Sequence, residues 1–272
     1  MRECRVLSKD AIFIQGILAR SGTNFLYELL ALHPDVAPSG PVQENFFLLA
    51  SDRLEAYVDA TMARWKPEWG IAPDSRERLW ESIGDGLIAF LERDARPDGA
   101  RWRLLARTPH VHNLHNFARL WPKARLVILV RDGRDLVESF ARSFNTEREP
   151  IMQRWADGAR EIVEFERAFA DRARFTIVRY EDLHANTEAE LRKLLAFLAL
   201  DPARYDFSRA LAAPVIGSST FTGGRGGVHW DPVAKTDEFK PLERSADWPP
   251  ALLAEFERVA GEYARRFGYK TR

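Results

Sequence analysis

The segment IFIQGILARSGTNFLYELLALHPDV, residues 12–36, constrains the fold more than any other part of the chain. A short, β-branched apolar run ends at Gly16. A polar turn with Arg20, Ser21 and Gly22 follows, and then an amphipathic stretch closed by Pro34. An apolar run of that length reads as a buried strand, and 3.6-residue periodicity with a proline beyond its end reads as a helix. A strand leading through a glycine turn into a helix is also the layout of a phosphate cradle, because the first amides of the helix point outward and carry partial positive charge.

The G-x-x-x-x-G-K-[ST] loop of ATP-binding proteins does not fit. Laid on residues 16–23, Gly16 matches the first glycine and Thr23 the last hydroxyl. Ser21 stands at the second glycine, Gly22 at the lysine, and the positive charge has moved to Arg20. Without the lysine that reaches the β- and γ-phosphates, triphosphate chemistry is disfavoured. A nucleotide with a short 5′ group, held by Arg20 and hydroxyls, fits better.

A second segment, LVILVRDGRDLVESF, predicts a strand over Leu126–Val130, a charged turn at Arg131, and a helix carrying Ser139. Ligands of open α/β sheets bind beyond the carboxyl ends of the strands, so Arg131 is expected on the same edge as Arg20. A guanidinium forks onto phosphate and a serine hydroxyl adds a donor. The competing expectation for Arg131, Asp132, Arg134 and Asp135 is a solvated ion-pair cluster. FTIVRYEDL predicts a third strand. Helices are expected over 151–172, 188–200 and 249–269, and the residues around 51–98 read as mostly helical. Strands alternating with helices imply parallel pairing. The expected fold is α/β, a central parallel sheet flanked by helices, in one domain over 1–272 with a helical insertion or lid at about 48–100.

Composition narrows the function classes. Forty basic residues balance forty acidic ones, so no broad basic face is expected for nucleic acid or a membrane surface. The one cysteine, Cys4, rules out a disulfide framework or a cysteine-based metal site. There is no secretory signal pattern and no apolar segment of membrane-spanning length, and the expected setting is the cytoplasm. His110, His112 and His115 lack the spacing of zinc helices and are read as a helix start.

RSGTNFL and LVRDGRDLVESF resemble two motifs of the sulfotransferases that use 3′-phosphoadenosine 5′-phosphosulfate (PAPS). VRYEDL resembles that family's third characteristic strand end. The similarity covers residues 12–47, 104–144 and 175–198, and more weakly 217–268. It implies a P-loop-like fold in which Arg20, Ser21, Gly22, Thr23 and Asn24 cradle the 5′-phosphosulfate, and Arg131 and Ser139 hold the 3′-phosphate. It implies transfer of a sulfuryl group without a metal, leaving 3′-phosphoadenosine 5′-phosphate (PAP). Arg107 stands where family members carry a basic residue near the sulfuryl group.

Two residues compete as the base. HPDVAPSGPVQENFF resembles the stretch in glycan sulfotransferases whose glutamate precedes paired aromatics, which implies Glu44. RTPH resembles the basic-Thr-His stretch of the small-molecule branch with Pro109 inserted, which implies His110. Glu44 is preferred, and it tilts the acceptor toward a saccharide or glycoconjugate, with a small alcohol, phenol or lipid as alternatives. In the Gly-rich loop near 217–230, Arg225 is the expected C-terminal clamp on the nucleotide, with Ser218 and Ser219 as lesser candidates. Trp65, Trp69, Trp102 and Trp230 are candidates to stack on the acceptor. Two other functions remain open at this point: a kinase or NTPase with a degenerate loop, and a nucleotide-binding protein without catalysis.

Overall fold

The computed structural model describes residues 10–95, 102–171, 173–217, 227–234 and 241–270. The opening strand is β1 (Ile12–Gly16), every residue of it buried. It leads into α1 (Thr23–Leu30) and a three-residue strand, β2 (Val36–Pro38). Then come α2 (Ser51–Met62), α3 (Ser75–Glu92), β3 (Arg103–Thr108), α4 (Leu114–Leu120) and β4 (Arg125–Val130). The second half runs α5 (Gly133–Phe144), α6 (Glu149–Phe169), β5 (Arg174–Arg179), α7 (Tyr180–Ala185), α8 (Thr187–Phe197), α9 (Phe207–Leu211) and α10 (Pro250–Arg266).

The strands form one sheet in the order β2-β3-β1-β4-β5, and each neighbouring pair is parallel. Apolar strands without alternation are what a sheet covered on both faces requires. One face packs Phe13, Ile128 and Val130 against α3 to α6 and α10, with Phe117, Trp121 and Trp155 filling the layer. The other packs Ile14, Val127 and Leu129 against Leu26, Leu30, Leu191 and Leu195 from α1 and α8. The chain moves from β1 to one side of the sheet and returns to the other, so β1 is the switch point where α/β sheets open a crevice.

Two strands were not expected. β2 is too short to show a period, and β3 carries arginine at both ends of its apolar centre. The 51–92 segment, read as an insertion or lid, buries Val58, Trp80, Ile88 and Leu91 in the core. HVHNLH divides: α4 begins at Leu114, so only His115 is helical.

The parallel register aligns the strand ends that matter. Gln15 pairs with Thr108, Gly16 with Leu129, and Val130 with Arg179. The next residues on each strand, Ile17, Pro109, Arg131 and Tyr180, therefore emerge together at one edge.

Candidate active site

The β1–α1 turn is held shut by its own side chains. Ser21 is fully buried, and its hydroxyl donates to the Leu18 carbonyl at 2.6 Å. Gly22 has φ 99°, and a Cβ there would lie 2.4 Å from the Tyr180 ring. Only glycine meets both conditions. Arg20 itself takes a positive φ of 80°, a conformation that costs a non-glycine residue about 1–2 kcal/mol. Its side chain runs across the strand ends: its Nη2 donates to the Gly217 carbonyl at 2.8 Å, and its Nε lies 3.5 Å from the Ser139 hydroxyl.

Arg131 arrives from the end of β4. Its Nη1 donates to the Arg20 carbonyl at 2.8 Å and its Nη2 to the Pro241 carbonyl. The guanidinium lies 4.8 Å from the centre of the Tyr180 ring, a cation–π contact. Trp155 on α6 fixes the strand end by donating to the Arg131 carbonyl at 3.1 Å. The charged turn is not a solvated cluster, since Arg131, Asp132, Arg134 and Asp135 are all buried. Asp132 caps α5 by accepting from the Arg134 amide at 3.0 Å and holds the Arg134 guanidinium at 2.5 Å.

A third cation completes the group. Arg244 Nη1 lies 3.5 Å from the Ser139 hydroxyl. Its segment is docked on α5: Asp135 accepts from the Glu243 amide at 2.6 Å, the Ser245 amide at 3.1 Å and the Ser245 hydroxyl at 2.8 Å. Glu138 accepts from Trp248 Nε1 at 2.8 Å. Burial, then the neighbouring Arg131 and Arg244, lower the Arg20 pKa to about 10. Burial and Arg131 bring Arg244 to about 10 as well. Two guanidiniums beside one hydroxyl, both disfavoured by burial and by the neighbouring Arg131, form a site whose charge is relieved by a multiply charged anion.

These groups line a cavity of about 620 Å³, within the range of small-molecule sites. Gly22, Thr23 and Asn24 line it at the start of α1, where helix amides lack internal partners. Phe25, Leu32, Val215 and Ile216 supply an apolar wall, and Trp230 stands at the rim, 58% exposed. At the other end are Glu44, Phe46, Pro109 and His110. Asn45 pins the Glu44 loop to β3: its amide and its Nδ2 both donate to the Arg107 carbonyl, at 3.2 and 3.0 Å.

The model of the Sulfotransferase family matches residues 11–204, most of the chain. The chain belongs to that family. No curated protein gives a significant match to this sulfotransferase. Solved structures share its fold. The sulfotransferase domain of the Synechococcus PCC 7002 olefin synthase is 23% identical with a TM-score of 0.58, covering 97% of this chain and 96% of the other. A sulfotransferase from Alicyclobacillus acidocaldarius is 17% identical with a TM-score of 0.50, covering 96% of each. A mouse sulfotransferase complexed with PAP is 15% identical with a TM-score of 0.51, covering 94% and 84%. The five-stranded parallel sheet is thus the P-loop-like α/β fold expected from the sequence.

The structure brings Arg20, Gly22, Thr23, Asn24, Arg131, Ser139, Glu44 and His110 to one cavity. Two expected residues do not line it. Ser21 faces the interior, as described above. Arg107 is buried with its guanidinium over the Tyr27 ring, 4.5 Å from the centre. Arg225, Ser218 and Ser219 lie outside the described residues. Among the tryptophans proposed to stack on the acceptor, Trp230 lines the cavity while Trp65, Trp69 and Trp102 do not. No helix among the described residues is long and apolar enough to cross a membrane. Arg244 and Tyr180 were missed. Arg244 has no local motif, whereas Tyr180 was signalled by its place directly after a strand that pairs with β4.

Proposed function

We propose that this sulfotransferase moves a sulfuryl group from PAPS to an acceptor hydroxyl by in-line displacement. What supports this is the gathering of Arg20, Arg131 and Arg244 in one cavity with Ser139, the first and last within 3.5 Å of its hydroxyl, beside the open amides of α1. The 5′-phosphosulfate is assigned to Arg20 and the amides of Gly22, Thr23 and Asn24. The 3′-phosphate is assigned to Arg131 and Ser139, with Arg244 in the clamping role that the sequence had suggested for Arg225. Phe25, in the apolar wall, offers the adenine a face to stack on.

The donor supplies a sulfuryl group with a good leaving group attached. As the acceptor oxygen bonds to sulfur, the sulfur–oxygen bond to the 5′-phosphate breaks, and PAP departs with the electron pair. Arg20 neutralises the charge that develops on the departing phosphate. Positioning and electrostatics do most of the work in such transfers, as in phosphoryl transfer. The acceptor proton goes to a base at the opposite end of the cavity. Glu44 takes that role here, with His110 as the second ionisable group at the same end. The acceptor is a saccharide or glycoconjugate in this reading, with a small alcohol, phenol or lipid as the alternative classes.

The experiment is sulfuryl transfer from PAPS across a panel of hydroxyl acceptors, with Glu44→Gln and His110→Asn. The reading expects PAP release that depends on acceptor, and a kcat lost roughly 10²-fold or more in Glu44→Gln with unchanged PAP affinity. Normal turnover of Glu44→Gln moves the base to His110. Thermal stabilisation by ATP and Mg²⁺ but not by PAP favours the kinase reading instead.

A further inference from the structure

His110 has a second side. Beyond it lies another cavity, of about 370 Å³, between the end of β1, the loop preceding α4, and α6. Among the described residues, His110 alone lines both cavities. Its Nδ1 is buried and has no hydrogen-bond partner among them. The His112 ring is centred 5.8 Å away. The floor is set by close packing, since a Cβ at Gly158 would lie 2.7 Å from the Ile17 carbonyl.

Most of the charged groups on this second wall are already engaged. Asp157 pairs with Arg160 at 3.0 Å. Glu161 accepts from the Leu114 amide at 2.6 Å. His115 lies 3.6 Å from Glu55. Glu164, at the margin, is exposed. Arg154, exposed like Glu164, differs in what it meets: among the described residues no carboxylate pairs with it, and its guanidinium rests on Phe140, 5.2 Å from the ring centre. Burial, then Arg154, then His112 lower the His110 pKa to about 4, and burial and Arg154 also lower that of His112. Arg154 is therefore close enough for its charge to be felt at the imidazole where the two cavities meet. The nucleotide's own anions have three other arginines, and none of them lines this second cavity.

We propose that the second cavity is the acceptor chamber, and that it takes a hydroxyl compound bearing an anionic group, a carboxylate, phosphate or sulfate. The anion lies against Arg154 and the hydroxyl points past His110 toward the donor. This rests on the reading of the first cavity as the nucleotide site. It narrows the acceptor from saccharides, alcohols and phenols in general to their acidic members. The engaged carboxylates explain why a cation is not the preferred guest, since each of Asp157 and Glu161 already has a donor.

The test uses enzyme saturated with PAP and three probe pairs matched in shape: glucuronate with glucose, glucose 6-phosphate with glucose, and 4-hydroxybenzoate with phenol. Saturation-transfer NMR gives affinities, and the imidazole C–H signals of His110 and His112 report where each probe sits. The charged member of at least one pair is expected to bind roughly 10-fold tighter than its neutral partner, as a charge-assisted hydrogen bond requires. It should shift both histidine signals, and Arg154→Gln should erase the preference while leaving neutral probes unaffected. Equal affinities in all pairs, or a preference that survives Arg154→Gln, overturn the proposal. So does binding of no probe to an enzyme that binds PAP normally. Failure to bind PAP at all overturns the nucleotide reading instead, and the two failures are thereby told apart.

Discussion

The guanidinium of Arg131 donates to the backbone carbonyl of Arg20 at 2.8 Å. Two residues 111 positions apart thus meet at one point, each from a turn that follows a buried strand. The contact ties the strained conformation of Arg20 to β4, so that the loop expected to grip one end of the nucleotide is shaped by the residue expected to grip the other.

Removing Arg131 should therefore do more than remove a charge. Arg131→Ala is expected to weaken PAP binding by roughly 10²-fold, the loss of a buried charge-assisted contact. Arg131→Lys should recover only part of it, because an ammonium cannot reach the Arg20 and Pro241 carbonyls with a planar fork. Isothermal titration of both variants checks this; full recovery by lysine would show that charge alone matters.

Gly22→Ala tests the turn. The added Cβ meets both a left-handed φ and the Tyr180 ring at 2.4 Å, so a stability loss of at least about 2 kcal/mol is expected. Denaturant unfolding reads it directly. A change under about 0.5 kcal/mol would mean that the ring moves away freely.

Asp135 is expected to act on the nucleotide without touching it. Asp135→Asn loses charge from three hydrogen bonds that dock the Arg244 segment, and PAP affinity should fall roughly 10-fold. Its effect and that of Arg244→Ala should be less than additive in a double-mutant cycle, since both act through one guanidinium. Strict additivity would contradict this coupling.

His110 contributes to the pH dependence of stability, in the same direction as His112, whose pKa is also lowered by burial and Arg154. The folded His110 pKa of about 4 lies below the ordinary value of about 6.5. Between those values the unfolded chain takes up a proton that the folded chain refuses, so stability falls as pH drops through the window. Glu138 acts in the same direction lower down. Burial raises its pKa, but hydrogen bonds from Arg148, Trp248 and Arg142 outweigh burial and bring it to about 2. Its contribution is present above the ordinary carboxylate range and is lost as pH falls toward about 2. His110→Gln should make the stability profile less steep between about pH 6.5 and 4, the remaining slope including that of His112, and leave the region above unchanged; an unaltered profile would remove His110 as a cause.

The parts of this molecule legible in the sequence are those whose physics is local. β1, β4 and β5 announce themselves as apolar runs, and α1 and α5 follow them as sheet geometry demands. Arg20, Arg131 and Ser139 were readable because a strand end fixes which edge a residue reaches. β2 and β3 were not: one is three residues long, and the other is flanked by arginines that mask its apolar centre. Arg244 was hidden for a different reason. Its place depends on Asp135 and Glu138, residues of α5 more than a hundred positions away, and neither glycine spacing nor charge pattern near 244 encodes that docking. Ser21 shows the converse, a motif residue whose hydroxyl serves the turn rather than the cavity.

Arg131, Ser139 and Arg244 are the residues proposed to recognise a 3′-phosphate. Isothermal titration of PAP and of AMP, which lacks that phosphate, isolates this recognition. Wild-type enzyme should bind PAP roughly 10²-fold or more tightly than AMP, and Arg131→Ala should bring the two affinities close together. Equal affinities in the wild type, or a preference for PAP that survives Arg131→Ala, would contradict it.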